Sequence, residues 1–152
     1  MTGTFKTSNV RRLFLFLLSI LFVISVSAQR QVIHFNQAWK FYLGDTAAAK
    51  EVSFNDAKWR VLNVPHDWSI EGDFSEKHST TFNQGALPAG IGWYPKTFIL
   101  PASSKDKKVY INFDGVYRNS EVWINGQYLG KRPYGYSSFR YELTPHLKFG
   151  NE

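Results

Sequence analysis

Phe113-Asp114-Gly115-Val116-Tyr117-Arg118-Asn119-Ser120-Glu121-Val122-Trp123-Ile124-Asn125-Gly126-Gln127-Tyr128-Leu129 decides the fold. Its first residue closes a run in which Val109, Ile111 and Phe113 fall on one face of a strand, with Tyr110 and Asn112 between them. Such alternation is the period of a half-buried strand, and Asp114-Gly115 is a turn signal that ends it. Glu121 to Asn125 alternates again. Asn125-Gly126 then supplies the two residues that most readily take positive φ, as a two-residue type I′ turn requires. The reading is a β-hairpin whose arms, around Val122 and Tyr128, pair antiparallel.

Working outward, the same period-two spacing recurs and no sustained 3.6-residue pattern appears. Trp39, Phe41 and Leu43 alternate with Lys40 and Tyr42 and stop at Gly44-Asp45, a first strand and its turn. Between Thr46 and Lys58, Ala47, Ala48 and Ala49 favour a short helical turn. Ser53 to Trp59 is a loop leading into Val61, Leu62 and Val64. Pro65 to Gly92 lacks periodicity and reads as a long loop, which inside a compact domain tends to carry function. Its aromatics Trp68, Phe74 and Phe82 argue for packing. Strand character resumes from Trp93 to Leu100 and stops at Pro101. Gly130 to Ser138 is a second loop, Phe139, Tyr141 and Leu143 form a further strand, and Thr144-Pro145 reads as a cap followed by Pro in a helical turn. Six to eight short strands without βαβ alternation predict an all-β antiparallel sandwich. Leu147 to Glu152 reads as the approach to another strand, so the sandwich is expected to be truncated at its C-terminal strand, a fragment with an open edge.

The chain has 152 residues, 43% hydrophobic, which is material for one core and too little for two domains. Aromatic residues make up 17%, including 13 Phe, 8 Tyr and 5 Trp, and favour strands and flat stacking platforms. With no cysteine, disulfide frameworks, thiolate metal sites and cysteine nucleophiles are excluded. Met1 to Ala28 carries Lys6, Arg11 and Arg12 without an acid, then an apolar run of 14 residues from Leu13 to Val26, then Ser27 and Ala28. That is the pattern of a secretory signal peptide. It is short of the roughly 20 residues of a spanning helix, so membrane contact is expected only through the export signal. An uncleaved anchor is the alternative. Removing the segment takes Lys and Arg from 18 to 15 against 12 acids, and the formal charge from +6 to +3. The remaining cations are scattered, and Lys105, Lys107 and Lys108 lie in a Ser-rich loop, so no nucleic-acid partner is expected. Export to a periplasm, the medium or a cell surface is expected.

Several stretches carry a resemblance: Val64-Pro65-His66-Asp67-Trp68, Gly90-Ile91-Gly92-Trp93-Tyr94, Phe113 to Tyr117, Asn119 to Gly126, Arg132-Pro133-Tyr134-Gly135-Tyr136-Ser137-Ser138-Phe139, and Leu143-Thr144-Pro145. In that order they resemble the N-terminal sugar-binding domain of family 2 glycoside hydrolases, the β-galactosidase group especially, from about Gln37 to Glu152. The resemblance implies a jelly roll over residues 29–152, incomplete at its C-terminus. It also implies downstream immunoglobulin-like and TIM-barrel domains, a β-linked glycan or terminal galactoside as ligand, and no cofactor. Pro95 departs from the pattern, standing where the family commonly carries a basic residue, so an ionic contact there is not carried over. Retaining hydrolysis needs two carboxyl groups about 5 to 5.5 Å apart. In the family both are glutamates of the barrel. Glu51, Glu71, Glu76, Glu121, Glu142 and Glu152 match neither motif, so no catalytic residue is expected in this segment and the chain alone is expected to be inactive.

The substrate-binding candidates are Asp67, Trp68, Arg132, Tyr134 and Tyr136. Asp67 is an acceptor for the paired hydroxyls of a sugar, or a carboxylate that fixes the loop backbone while Trp68 packs inward. Trp93 and Tyr94 suit the C–H face of a pyranose, yet their place at a strand start favours the core. Arg132, Tyr134 and Tyr136 lie in a loop, where binding residues gather, and either meet sugar or dock on a neighbouring barrel. Arg118 and Glu121 form a pair or a domain contact. His34, His66, His78 and His146 have no ligand spacing, so no metal site is expected. Two other readings stand beside the enzyme domain: a free-standing carbohydrate-binding module, and a structural or adhesion sandwich with Trp93, Tyr134 and Tyr136 buried.

Overall fold

The computed structural model describes residues 10–12, 14–16, 30–78 and 86–149. The chain divides into two units, Met1–Phe35 and Asn36–Glu152. In the first, residues 10–12 and 14–16 are helical and exposed. Most of the expected signal peptide, Met1 to Ala28, lies outside the described residues, as do Phe82 and Gly85 of the long loop. Among the described residues no helix is long and apolar enough to cross a membrane.

The second unit holds seven strands among its described residues: β1 Trp39–Leu43, β2 Arg60–Leu62, β3 Gly92–Trp93, β4 Tyr110–Phe113, β5 Ser120–Ile124, β6 Gln127–Arg132 and β7 Phe139–Glu142. All pairings are antiparallel. β1 lies between β2 and β3, β4 pairs with β7, and β5 pairs with β6. The β4–β7 ladder encloses the β5–β6 hairpin in sequence. These are the open antiparallel sheets of a jelly-roll sandwich. Trp93 of β3 stacks on Trp123 of β5 with ring centroids 5.6 Å apart, joining two sheets. Phe113 and Phe139, directly opposed across β4 and β7, stack at 4.9 Å. Phe41, Phe139 and Leu143 are the buried hydrophobic residues among those described.

The hairpin forms where the sequence places it. Ile124 pairs with Gln127, leaving Asn125 and Gly126 as the turn with φ of 49° and 78°, the positive pair that type I′ demands. Asn125 also donates its side-chain amide to the carbonyl of His146 at 2.7 Å, tying the turn to the segment after β7. The alanine run forms a 3₁₀ turn, Ala47–Lys50. Behind it, Trp59 stacks on Tyr42 at 5.0 Å and meets Phe54 at 5.3 Å.

Three expectations need correction. The strand expected from Trp93 to Leu100 is paired only over Gly92–Trp93, flanked by hydrogen bonds from Gly44 N–H to Ile91 and from Lys40 N–H to Pro95. Pro95 has no N–H to return, and β1 begins at Trp39, so the ladder has neither donor nor partner beyond this point. The loop expected from Gly130 to Ser138 begins only after Arg132, because Gly130, Lys131 and Arg132 pair with Val122, Glu121 and Ser120. A bulge between Val122 and Trp123 absorbs the residue that made Gly130 look like a break. Thr144 opens the expected 3₁₀ turn, Thr144–His146, but does not cap it. Its hydroxyl instead accepts the Val109 N–H at 2.8 Å, bridging to the residue that precedes β4.

Candidate functional site

The residues singled out from the sequence fall into two groups held by different strands. The first is the loop after β2, entered through a cis Val64–Pro65 peptide and clasped from four sides. His66, its side chain 11% exposed, lies edge-on to Phe41 of β1 at 4.8 Å and places Nδ1 2.8 Å from the Tyr94 hydroxyl. Its Nε2 is 2.7 Å from the Arg60 guanidinium of β2 and 3.1 Å from the Glu71 carboxylate. A neutral imidazole protonated on Nδ1 satisfies both ends, donating to the Tyr94 oxygen and accepting from Arg60. Arg60 donates one nitrogen to both Glu71 oxygens, at 2.8 and 2.9 Å, while its guanidinium sits 5.2 Å above the Phe41 ring.

The electrostatics follow from these contacts. The hydrogen bond from Arg60, and then that from His66, holds the Glu71 carboxyl below the usual carboxylate range. The same bond to Glu71 raises Arg60. Burial, followed by the charges of Asp67 and Glu71, pushes the Tyr94 phenol up to about 12.

Within this clasp Asp67 is exposed and accepts the Ser69 N–H at 3.0 Å, so one carboxylate oxygen fixes the loop backbone. The Ser69 hydroxyl reaches the Pro88 carbonyl at 2.7 Å and closes the far side. Trp68 is half-buried, with its indole against Gly90 and Gly92. Tyr94 belongs to the clasp, and Trp93 is committed to its stack on Trp123.

The second group surrounds the turn after β6. Tyr134 and Tyr136 are 64% and 77% exposed with ring centroids 5.7 Å apart. Tyr117, 61% exposed, meets Tyr136 at 5.6 Å. The sequence showed Tyr117 only as the end of a motif, and its membership in this cluster comes from the close approach of two chain segments. A Cβ on Gly135 would lie 2.9 Å from the Tyr117 Cα, so only glycine lets the loop pass there. Asn119 N–H donates to the Pro133 carbonyl at 3.2 Å and extends the β5–β6 ladder to the edge of the cluster. Arg132 closes β6 with its guanidinium 5.5 Å above the Phe139 ring. Arg118 lies 5.8 Å from the Tyr117 ring. Glu121 is bound to Lys131, its cross-strand partner, at 3.3 Å, which corrects the expected Arg118–Glu121 pair.

Chemically, the second group offers flat aromatic faces, phenolic hydroxyls and guanidinium donors, and the first offers the outer edge of Asp67 beside a tightly held histidine. Glu71, Glu121 and Glu142 are each spent on a different cation, Arg60, Lys131 and Lys108. Among the described residues no group of three or more acids and histidines is placed to hold a metal ion.

Residues 32–152 match the family model described as glycosyl hydrolases family 2, sugar binding domain. A β-galactosidase of Bacteroides ovatus is 53% identical over 125 residues, covering 82% of this chain and 15% of that protein. A putative β-glucuronidase of Formosa agariphila is 48% identical, covering 84% of this chain and 12% of its own length. The crystal structure of a β-glycosidase from Bacteroides vulgatus superimposes with a TM-score of 0.77 at 56% identity, over 80% of this chain and 16% of that one. The chain thus spans about a sixth or less of the length of these relatives.

Proposed function

The chain belongs to glycosyl hydrolase family 2 through its sugar-binding domain, and on that premise we propose that it shapes and partly lines the pocket for a terminal β-linked sugar in an exported, β-galactosidase-like hydrolase. The bond-breaking carboxyl pair belongs to a separate barrel domain, reached through an immunoglobulin-like domain. In this segment the glutamates serve ion pairs on different strands. The apolar run Leu13 to Val26 behind Lys6, Arg11 and Arg12 supports export, with residues 1–28 as signal and 29–152 as the sugar-binding jelly roll.

The observation that carries the reading is the exposure of Tyr134 and Tyr136 on a loop anchored by the β5–β6 ladder. Large aromatic rings left in water on a rigid base suit the C–H face of a pyranose, and Arg132 supplies donors beside them. Asp67 and Trp68 form the second half of the proposed site, with Asp67 keeping acceptor capacity beyond its bond to Ser69. The same exposure counts against a purely structural sandwich, which needs both tyrosines buried.

A chimera tests the proposal. This chain replaces the matching N-terminal segment of the Bacteroides ovatus β-galactosidase, and hydrolysis of a chromogenic β-galactoside is followed. The chimera is expected to turn over, with KM raised by Tyr134→Ala and Tyr136→Ala, while the chain alone does not. Turnover by the chain alone, or a KM indifferent to both tyrosines, would contradict it.

A further inference from the structure

Cations on the strands of this domain are mostly satisfied by carboxylates. Lys40 holds Asp56, Arg60 holds Glu71, Lys108 holds Glu142 and Lys131 holds Glu121. Arg118 and Arg132 differ. Each guanidinium packs over an aromatic ring, Tyr117 and Phe139, and neither has a carboxylate partner among the described residues. A guanidinium stacked on a ring is held by its face, while its edge still presents a fork of N–H donors matched to a carboxylate. Both belong to the ladder that carries the tyrosine cluster: Arg132 pairs with Ser120, and Asn119 bonds to Pro133 one step on. Of the nearby acids, Glu121 is neutralised by Lys131, which leaves Asp114, in the turn after β4, as the carboxylate close in sequence to Tyr117.

We propose that Tyr117, Tyr134 and Tyr136, flanked by Arg118 and Arg132, form a binding face for acidic glycans, with the rings stacking on a pyranose and the two guanidiniums receiving the carboxylate of a uronate. This rests on the sugar-binding reading and adds the charge of the ligand to it. Ring stacking alone does not distinguish galactose from glucuronate, because both present a C–H face. The guanidiniums without a carboxylate make the difference. A charged contact at an exposed site is screened by salt, so preference for the acidic sugar falls as ionic strength rises.

The test is calorimetric and NMR titration of the chain with a glucuronate-terminated β-linked disaccharide and with its galactose-terminated counterpart. The uronate is expected to bind more tightly by about tenfold, the worth of one charge-assisted hydrogen bond at a solvated site. Arg118→Ala and Arg132→Ala each reduce that preference, and Arg118→Lys fails to restore it, because a lysine lacks the fork. Arg140→Ala removes a ring-stacked arginine over Tyr110, outside the cluster, and leaves the preference unchanged, which controls for net charge. Equal binding of the two sugars overturns the acidic preference while leaving the sugar-binding reading intact. Binding of neither sinks both. Loss of preference in Arg140→Ala would show a diffuse charge effect and overturn the assigned face.

Discussion

Replacing Phe41 with alanine should nearly unfold the domain, because this ring supports both the core and the loop carrying Asp67 and Trp68. Phe41 is 7% exposed and touches His66 at 4.8 Å and Tyr94 at 4.9 Å, with the Arg60 guanidinium at 5.2 Å. A buried aromatic side chain removes about 150 Å² or more from water, which at about 25 cal/mol per Å² gives about 4 kcal/mol. That is an upper figure, since the unfolded chain already hides part of its surface. It agrees with the roughly 3 to 5 kcal/mol found for Phe→Ala in cores, a large part of a domain's total of about 5 to 15. The assay is urea unfolding followed by far-UV circular dichroism. With a slope of about 1 to 3 kcal/mol per molar urea, the midpoint should fall by more than about 1 M. Phe41→Leu keeps most of the volume, loses the ring contacts and should cost about 1 to 1.5 kcal/mol, so the folded state survives for NMR of the His66 ring. A cost below about 1 kcal/mol for Phe41→Ala, against the core range above, would refute the idea that this ring is the keystone of the sheet and loop.

Other outcomes follow from the same contacts. Gly126 has φ of 78° and open space within 4 Å of the position a Cβ would take, so Gly126→Ala should cost only the left-handed backbone penalty of about 1 kcal/mol in chemical denaturation. Gly135→Ala instead pushes against Tyr117 and should shift the Tyr117 and Tyr136 ring resonances while leaving the β1–β3 sheet unaltered. Because Glu71 titrates below the ordinary carboxylate range in the folded state, its stabilising effect is complete above about pH 4.3 and disappears as pH falls through its folded value. Hydrogen exchange of the Ser69 and Gly72 amides should therefore accelerate in acid, and Glu71→Gln should flatten that response. Tyr94 behaves oppositely: with its phenol raised to about 12, the native state loses stability as pH climbs from about 10 through that value. Phenolate absorbance should show one late-titrating tyrosine that Tyr94→Phe abolishes.

What the sequence made legible was what local chemistry encodes. Asn125-Gly126 carries its own turn geometry, and the alternation of Val109, Ile111 and Phe113 against Tyr110 and Asn112 reappears as half-buried and exposed positions along β4. The residues 94–100 misled because alternation describes which side chains suit a strand and says nothing of whether a partner strand runs beside them. Gly130 misled for the converse reason, since a bulge lets the ladder continue past it. The clasp of the long loop joins His66 to Tyr94 across 28 residues, a pairing that follows from the β1–β3 register and leaves no local trace. Tyr117 was hidden in the same way, because its meeting with Tyr136 depends on the path of the loop past Gly135. The exposed tyrosines Tyr134 and Tyr136 were visible as candidates because the Gly between them and the Pro before them marked a loop.

If this domain meets sugar through its tyrosine loop, the contact should be visible in the chain itself. Saturation-transfer NMR between the chain and a terminal β-galactoside tests it most directly, comparing the natural sequence with a Tyr134→Ala, Tyr136→Ala double variant of unchanged fold. Transfer to the sugar C–H protons that disappears in the variant is the predicted result. Undiminished transfer in the variant, or none with the natural sequence, would contradict a sugar contact through Tyr134 and Tyr136.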